Sequence, residues 1–364
     1  CGSGSSSSGE GKGLGTINSE LYLPPAGYVL PPGEALLGST VYVNDDGNND
    51  LTRLGLYQAV SEGLLILVAP TEVVKEADLI SVYLQTFSTN PLVIVASKGA
   101  VNGVVVNVSD PHFSTPQNTW KQYTFNGIAA TSRPVAVVTR DGAYVGTSSN
   151  KSFLVFQDST NPSNPLAYVA TAASCGTTIS QRAVSIAGTN LGDGDFIGIG
   201  TNAGEILVYG ASGSNSGTCK NLTKSSTVLK SYVPNSPVNG LSFTSSSGNK
   251  YGYFFTQNGE IWRVVANSEN VPRAFTQING AGFQGAPVSG ISAIYSDKFN
   301  NVYVGTNSGG IYLLSATNAL GPVNTIWTHK LLETAPAVLS ISATIDGGII
   351  AVGSDGVTYV ISIN

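Results

Sequence analysis

The sequence predicts an all-β protein in which units of about four short strands repeat along the chain. A phrase of strand, Gly-containing turn and strand recurs, for example at residues 196–208 and 302–314. Pro-Val or Pro-Ala pairs precede successive units at Pro237, Pro287 and Pro336, a spacing of about 50 residues. No amphipathic pattern of helical length occurs. Because a four-stranded unit cannot cover its own apolar faces but a ring of such units can, the repeat predicts a β-propeller.

The repeat divides most of the chain into blades. The predicted blades are residues 39–76, 78–125, 128–174, 180–232, 236–280, 286–332 and 336–364. The last unit ends one strand short, so we expect an N-terminal strand to close the ring, with residues 21–23 or 28–30 as candidates. The prediction is one propeller of seven blades over residues 19–364, with six blades as the alternative.

Residues 1–18 are predicted to form a flexible tether. The chain begins Cys1-Gly2 and continues through a tract of Ser and Gly, which has too little apolar surface to offset the entropy of ordering. A thiol at the end of such a tether has no role in packing, so Cys1 is interpreted as a point of covalent attachment. The start resembles a mature bacterial lipoprotein, which implies a removed signal peptide, acylation of Cys1 and, with Gly at the second position, the outer membrane. The alternative is a chain that merely happens to begin with Cys.

Residues 20–364 resemble the broad class of WD40-like and quinoprotein-like propellers, although the Gly-His and Trp-Asp signature pairs are missing. With Cys1, the architecture is similar to the propeller lipoprotein of the outer-membrane β-barrel assembly machine. Fold does not fix function, so this resemblance implies architecture only.

Export to an oxidising compartment predicts a disulfide between the two remaining cysteines, Cys175 and Cys219. The bond would close a loop of about 45 residues and contribute roughly 3–4 kcal/mol on the chain-entropy model. Neither cysteine has a Cys or His partner at zinc spacing.

An Asx-rich segment is a candidate calcium loop. Its alternating oxygen-bearing residues are Asn44, Asp46, Asn48 and Asp50, and Ca²⁺ binds six to eight oxygen ligands. The pattern resembles the second half of the loop in integrin-type FG-GAP repeats, without the first ligand. The alternative is an ordinary turn between two strands. Residues 191–196 occupy the equivalent turn of another blade.

Loops that exceed the minimal unit are candidates for partner recognition. Residues 110–126 carry His112, Phe113, Trp120 and Tyr123, which is more aromatic surface than a solvated connection needs. The alternative is that Phe113 and Trp120 cap a blade edge. Two further long segments are residues 210–230 and 280–285.

Composition and motifs limit the classes of function that the chain could have. The formal net charge is −5 and the basic residues are scattered, which argues against nucleic acid. No catalytic motif stands out, and His112 and His329 are expected at the surface. We therefore expect a non-enzymatic outer-membrane lipoprotein that acts as a protein-binding scaffold or as a subunit of an envelope assembly. The alternative is an extracytoplasmic calcium-dependent enzyme or glycan-binding propeller.

Overall fold

The structure is a computed structural model of the chain. It describes residues 11–19, 39–45, 51–58, 64–67, 81–85, 92–97, 100–105, 121–124, 134–138, 143–147, 152–155, 171–172, 183–190, 195–210, 218–224, 232–246, 248–297, 299–316, 324–343, 348–354 and 358–364. Within these ranges all regular structure is β-strand. None of the described residues forms a helix long and apolar enough to cross a membrane.

The described strands form six four-stranded sheets and one three-stranded sheet, all antiparallel and numbered here in chain order. Sheet 1 contains β2 (Ser39–Asp45), β3 (Leu51–Gln58) and β4 (Leu64–Leu67). Sheet 2 contains β5 (Ser81–Gln85), β6 (Leu92–Ser97), β7 (Ala100–Val105) and β8 (Lys121–Thr124). Sheet 3 contains β9 (Pro134–Val138), β10 (Ala143–Thr147), β11 (Ser152–Val155) and β12 (Thr171–Ala172).

The remaining sheets follow the same order, and each strand pairs with the one before it in sequence except β1, which pairs with β27. Sheet 4 contains β13 (Ala183–Asn190), β14 (Asp195–Thr201), β15 (Ile206–Gly210) and β16 (Cys219–Asn221). Sheet 5 contains β17 (Val238–Ser246), β18 (Asn249–Thr256), β19 (Ile261–Ala266) and β20 (Pro272–Gln277). Sheet 6 contains β21 (Ile291–Ser296), β22 (Val302–Thr306), β23 (Gly310–Leu314) and β24 (Thr328–Leu331). Sheet 7 contains β25 (Val338–Ala343), β26 (Ile349–Gly353), β27 (Thr358–Ile363) and β1 (Leu14–Asn18).

Sheet 7 takes its outer strand from the N-terminal part of the chain. In β1, Leu14 pairs with Ile363 and Asn18 pairs with Val360 of β27. This strand lies earlier than the predicted candidates, residues 21–23 and 28–30, which are outside the described residues. The predicted tether therefore ends before Leu14 rather than at residue 18. The reason is physical: the Gly/Ser tract stops there, and Leu14 and Ile17 supply apolar side chains that pack on the core.

Apolar side chains fill the space between neighbouring sheets from both sides. On β18, Tyr253 and Phe255 belong to the cluster shared with sheet 6, whereas Phe254 belongs to the cluster shared with sheet 4. Successive side chains point to opposite faces of a strand, so a sheet buried on both faces needs apolar residues at nearly every position. For this reason β18 is buried along almost its whole length.

The first strands of successive sheets lie side by side. Contacts join β2 to β5, β5 to β9, β9 to β13, β13 to β17, β17 to β21 and β21 to β25. The first strand of sheet 7, β25, also contacts β2 of sheet 1. These strands are therefore the common inner layer from which the other strands of each sheet extend outward.

A turn of one type joins the second and third strands of sheets 4, 5 and 6. It spans residues 201–205, 256–260 and 306–310, and each copy begins with Thr. In the sheet 5 copy, the Gly259 amide donates to the Thr256 carbonyl oxygen at 3.0 Å, and the Thr256 amide donates to the Glu260 carbonyl oxygen at 2.9 Å. Gly259 has φ of +91°, and the equivalent glycines 204 and 309 both have +84°. Glycine adopts this left-handed conformation without steric cost.

Each turn packs directly on the backbone segment that leads into the next sheet. A side-chain carbon added at Gly259 would overlap the Val288 carbonyl oxygen. At Gly204 the same carbon would lie 2.9 Å from the Asn235 nitrogen, and at Gly309 it would lie 2.6 Å from the Ala335 Cα. The glycine therefore permits both the turn and the close approach of the next sheet.

The contact at Gly259 predicts that Gly259→Ala strongly destabilises the folded protein. The left-handed backbone and the overlap with Val288 together should lower the free energy of unfolding by about 3 kcal/mol. Gly248 is the matched control because it also has positive φ but has nothing within 4 Å of an added carbon. Gly248→Ala should cost about 1 kcal/mol. Urea unfolding of both variants measures the difference, and equal losses would contradict the role of the contact.

Candidate functional site

One end of the molecule carries all of these turns. Because neighbouring strands are antiparallel, the turn after each second strand and the segment leading into the next first strand lie at the same end. We call this end the turn face. Its described residues are the turns 201–205, 256–260 and 306–310, the lead-in segments 232–237, 286–290 and 332–337, and Leu331 at the end of β24.

Large apolar side chains are exposed on the turn face. Val233 is 67% exposed, Val288 is 66% exposed and Leu331 is 60% exposed. Val233 and Val288 lie on lead-in segments, and Leu331 ends β24 just before the third lead-in segment. Single exposed apolar residues are common, but three of them at one end mark that end as a candidate interaction surface.

Buried neighbours hold the exposed residues in place. Tyr232, next to Val233, is buried and donates its hydroxyl proton to the Gly204 carbonyl oxygen. Its ring stacks on Phe275 at 5.7 Å and meets Trp262 edge-on at 5.0 Å. Burial raises the pKa of Tyr232 well above its ordinary value, so the hydroxyl keeps the proton that it donates.

A buried asparagine fixes the segment that carries Val288. The Asn279 side chain accepts a hydrogen bond from the Ile261 amide at 2.8 Å. Its Nδ2 donates to the Gly259 carbonyl oxygen at 2.7 Å and to the Pro287 carbonyl oxygen at 2.9 Å. One side chain therefore joins the repeated turn of sheet 5 to the lead-in segment of sheet 6, and Val288 extends from a fixed backbone.

The charged side chains on or beside the described turn face are of both signs. The acidic ones are Glu205, Glu260 and Glu333, and the basic ones are Lys224, just after β16, and Lys330, next to Leu331. The Glu205 carboxylate accepts a hydrogen bond from Asn221 Nδ2, and the Glu260 carboxylate accepts one from Trp262 Nε1, each at 3.0 Å. The surface therefore combines exposed apolar groups with fixed carboxylates.

The predicted recognition segment 280–285 has a structural role. The Gln284 amide donates to the Thr325 carbonyl oxygen at 2.8 Å, and the Trp327 amide donates to the Gln284 carbonyl oxygen at 2.9 Å. The Trp327 ring is buried, and its Nε1 donates to the Ile278 carbonyl oxygen at 2.9 Å. This segment therefore joins sheet 5 to sheet 6, and partner recognition by it stays a prediction.

The candidate calcium loop lies where the first and second strands of sheet 1 are joined. Asn44 is on β2, opposite Arg53 of β3. The other three candidate ligands, Asp46, Asn48 and Asp50, are outside the described residues, so calcium binding stays a prediction. In the described ranges no group of three or more His, Cys, Asp or Glu side chains could hold a metal ion.

The equivalent turn of sheet 6 shows how an aspartate serves at this position. Asp297 Oδ1 accepts hydrogen bonds from the Phe299 amide at 2.9 Å and the Asn301 amide at 3.0 Å. Its Oδ2 accepts from Asn301 Nδ2 at 2.9 Å and from the Tyr303 hydroxyl at 3.2 Å. Burial raises the pKa of Asp297, whereas these donors act in the opposite direction. The carboxylate here closes a turn.

The remaining predicted site residues are mostly outside the described part of the chain. These are Cys1, His112, Phe113, Trp120 and Cys175. Tyr123 lies on β8 opposite Val101, and Cys219 begins β16 opposite Tyr209. The lipid site, the recognition loop and the Cys175–Cys219 disulfide therefore stay predictions.

The expectation of a surface histidine is confirmed for His329. It is exposed on the outer strand β24, and its ring stacks on Tyr312 at 4.8 Å. The residues that the sequence did not reveal are Val233, Val288 and Leu331. Neither Val233 nor Leu331 is next to a recurring lead-in proline, and although Val288 follows Pro287, Val238 follows Pro237 and is buried, so the sequence carried no consistent signal for these residues.

Comparison with known proteins supports the fold. No known protein family and no curated protein matches the sequence. Among solved structures, the β-propeller domain of Myceliophteria thermophila Cps50 (Swd1) is similar, with a TM-score of 0.55 and 13% identity over 95% of this chain and 99% of that chain. The WD40 β-propeller domain of Doa1 is similar with a TM-score of 0.55 and 11% identity, and the match covers 96% of this chain and 97% of that chain. BBS1N, solved in complex with ARL6DN, is similar with a TM-score of 0.50 and 12% identity, and the match covers 96% of each chain.

These neighbours and the antiparallel four-stranded sheets define the class of protein. The chain has a β-propeller fold. Sequence identities this low show the fold alone, and function has to be argued from the residues of this chain.

The Asp297 turn predicts a graded response to substitution. Asp297→Ala would remove the acceptor of four hydrogen bonds from Phe299, Asn301 and Tyr303 and should cost about 3 kcal/mol of unfolding free energy. Asp297→Asn keeps one acceptor oxygen and should cost clearly less. Chemical unfolding compares the two variants, and equally small losses would show that the hydrogen bonds contribute little.

Proposed function

We propose that the chain is a seven-bladed propeller, closed by β1, that binds protein partners through its turn face. A lipid on Cys1 would hold it at the bacterial outer membrane. In this role the protein is a non-enzymatic scaffold or a subunit of an envelope assembly. The observation that carries the binding proposal is the set of three exposed apolar side chains, Val233, Val288 and Leu331, at the turn face.

The blade count is supported by the contacts between first strands. These contacts run without a break from β2 to β25 and return from β25 to β2. The fourth strand of sheet 7 comes from the other end of the chain, as expected for a ring that joins its two ends. Full closure protects sheet edges, which favours a ring over an open stack.

Protein binding is supported by the composition and order of the turn face. Interfaces combine apolar anchors at the centre with a polar rim. Val288 and Leu331 supply exposed apolar area, while Gln257, Asn258 and Asn307 supply exposed polar groups. Because the backbone beneath is held by hydrogen bonds, little conformational entropy would be lost on binding.

The anchor is supported by the sequence before β1. A chain rich in Gly and Ser separates Cys1 from the first strand, as a lipid tether requires. A multiply acylated cysteine supplies the two hydrophobic signals needed for stable membrane attachment.

The binding proposal predicts that Val288→Asp combined with Leu331→Asp weakens partner capture. Charged groups at an apolar contact must be desolvated, so partners recovered from solubilised envelope should fall at least about tenfold, with little change in melting temperature. Ile326→Asp is the matched control because Ile326 is 58% exposed but lies outside the turn face. Quantitative mass spectrometry of pull-downs measures capture. Unchanged capture by the double variant would refute the assignment of this face.

The anchor proposal predicts acyl chains on Cys1. Mass spectrometry of the N-terminal peptide, from protein purified out of its own membrane, should show the mass of a lipid-modified cysteine. The peptide of a Cys1→Ser variant is the control and should carry none. An unmodified Cys1 in the membrane-derived protein would contradict the anchor and leave the turn-face proposal standing.

A further inference from the structure

Strand β24 is the outer edge of sheet 6. Among the described strands it pairs only with β23. Three of its four residues, Thr328, His329 and Leu331, are exposed. An edge strand directs half of its backbone amide and carbonyl groups away from the sheet, so it is a template on which another extended segment can pair.

The backbone groups beside and along β24 alternate between its two sides. The Leu332 amide donates to the Gly309 carbonyl oxygen, on the side of β23, at 2.8 Å. The Trp327 amide donates to the Gln284 carbonyl oxygen, on the other side, at 2.9 Å. Because the direction alternates with each residue of an antiparallel strand, the even-numbered residues of β24 pair with β23 and the odd-numbered residues face outward.

A segment of this chain already pairs with the outer edge just before β24. The Gln284 amide donates to the Thr325 carbonyl oxygen at 2.8 Å, and the two segments form a parallel bridge. The bridge is isolated, and φ at Gly285 is +72°, so the extended segment stops there. Within the part of the chain that the structure describes, no residue pairs with the outward groups of the next two, His329 and Leu331.

The outer edges of the neighbouring sheets are less suited to strand addition. Strand β20 begins with Pro272, which has no amide proton, and continues with the exposed Arg273. Strand β16 has three residues, and β1 pairs irregularly between Leu14 and Ile17. Proline, charge, short length and irregular pairing all discourage the addition of a strand. Of these four edges, β24 is therefore the one best suited to accept a strand.

The charge of Lys330 disfavours a second copy of β24 as the added strand. Among the four residues of β24, only Lys330 carries a formal charge at pH 7. If two copies paired antiparallel through the outward groups of His329 and Leu331, a twofold axis would place the two copies of Lys330 directly opposite each other. Like charges in that position destabilise a strand pair, whereas opposite charges stabilise it.

We propose that the outer edge of β24 binds an extended segment of a partner protein, which has an acidic residue opposite Lys330 and apolar residues on either side. This inference rests on the protein binding of the proposed function and names the partner's chemistry, because Leu331 belongs to both surfaces. Leu331 is 60% exposed, and an apolar side chain on the added strand would cover it. The added segment would be the fifth strand of sheet 6.

The charged groups around β24 limit where the acidic residue lies. Glu333 is exposed just beyond the end of the strand, so a carboxylate placed nearer the turn face would meet a like charge. Strand β1 contacts β24 from sheet 7, and its residues Leu14–Asn18 include no charged side chain. Lys330 is therefore the group that selects the charge of the added strand.

The test uses the full chain and a synthetic peptide as the probe. The centre of the peptide is threonine, valine, glutamate, valine and threonine, which reads the same in both strand directions, and one end carries a fluorophore. Fluorescence anisotropy should show binding with a Kd below about 1 mM. A peptide with lysine in place of glutamate should bind at least about fivefold more weakly, and Lys330→Glu should reverse this order.

His329→Pro tests the backbone contact. It removes the outward amide of residue 329 and leaves the hydrogen bonds between β24 and β23, so peptide binding should fall at least about fivefold. His329→Ala is the matched control because it keeps the amide, and it should bind the peptide as the original chain does. A peptide N-methylated at both valines makes the same test on the unaltered chain, and it should also bind at least about fivefold more weakly.

Equal binding of the glutamate and lysine peptides, or undiminished binding both to His329→Pro and by the N-methylated peptide, would overturn the inference. A dimer of the full chain in sedimentation that His329→Pro abolishes would also overturn it, because a second copy would then occupy the edge. Val288→Asp should leave peptide binding unchanged. Failure at the edge of β24 is therefore distinguishable from failure of the turn face, which the capture of envelope partners tests.

Discussion

In each repeated turn, a glycine lies in close contact with the backbone segment that leads into the next sheet. The rest of the structure depends on this contact. At Gly204 an added carbon would lie 2.9 Å from the Ser236 carbonyl oxygen, and Gly309 is equally crowded by Ala335. A side chain at either glycine would push neighbouring sheets apart. The apolar clusters between sheets could then no longer reach interior packing density. The same contact fixes the lead-in segments that form the turn face.

Hydroxyl groups near the inner layer reinforce this contact between sheets. Ser185 donates to the Val238 carbonyl oxygen of the next sheet at 2.6 Å, and Ser292 donates to the Val338 carbonyl oxygen at 2.6 Å. Each serine lies at an irregularity in strand pairing, where the first strand of a sheet takes one extra residue. A hydrogen bond of this kind contributes about 1 kcal/mol, so these bonds set the alignment of the sheets more than their total stability.

The sequence predicted the repeating strands because Gly-containing turns and lead-in prolines are local signals. It predicted an N-terminal strand for the last sheet but misplaced it, since the pairing of Leu14 with Ile363 spans the whole chain. The exposure of Val288 and the link from Trp327 to Ile278 were hidden for the same reason. Both depend on how two neighbouring sheets pack together, and the residue pattern within one sheet does not indicate that packing.

If the seven described sheets form one cooperative unit, a defect at one contact between sheets should weaken distant sheets. Hydrogen exchange of a Gly204→Ala variant tests this most directly, because Gly204 lies between sheets 4 and 5 whereas β1 and β27 lie in sheet 7. The account predicts faster amide exchange in β1 and β27 as well as around residues 201–237. Faster exchange confined to sheets 4 and 5, with β1 and β27 fully protected, would contradict it.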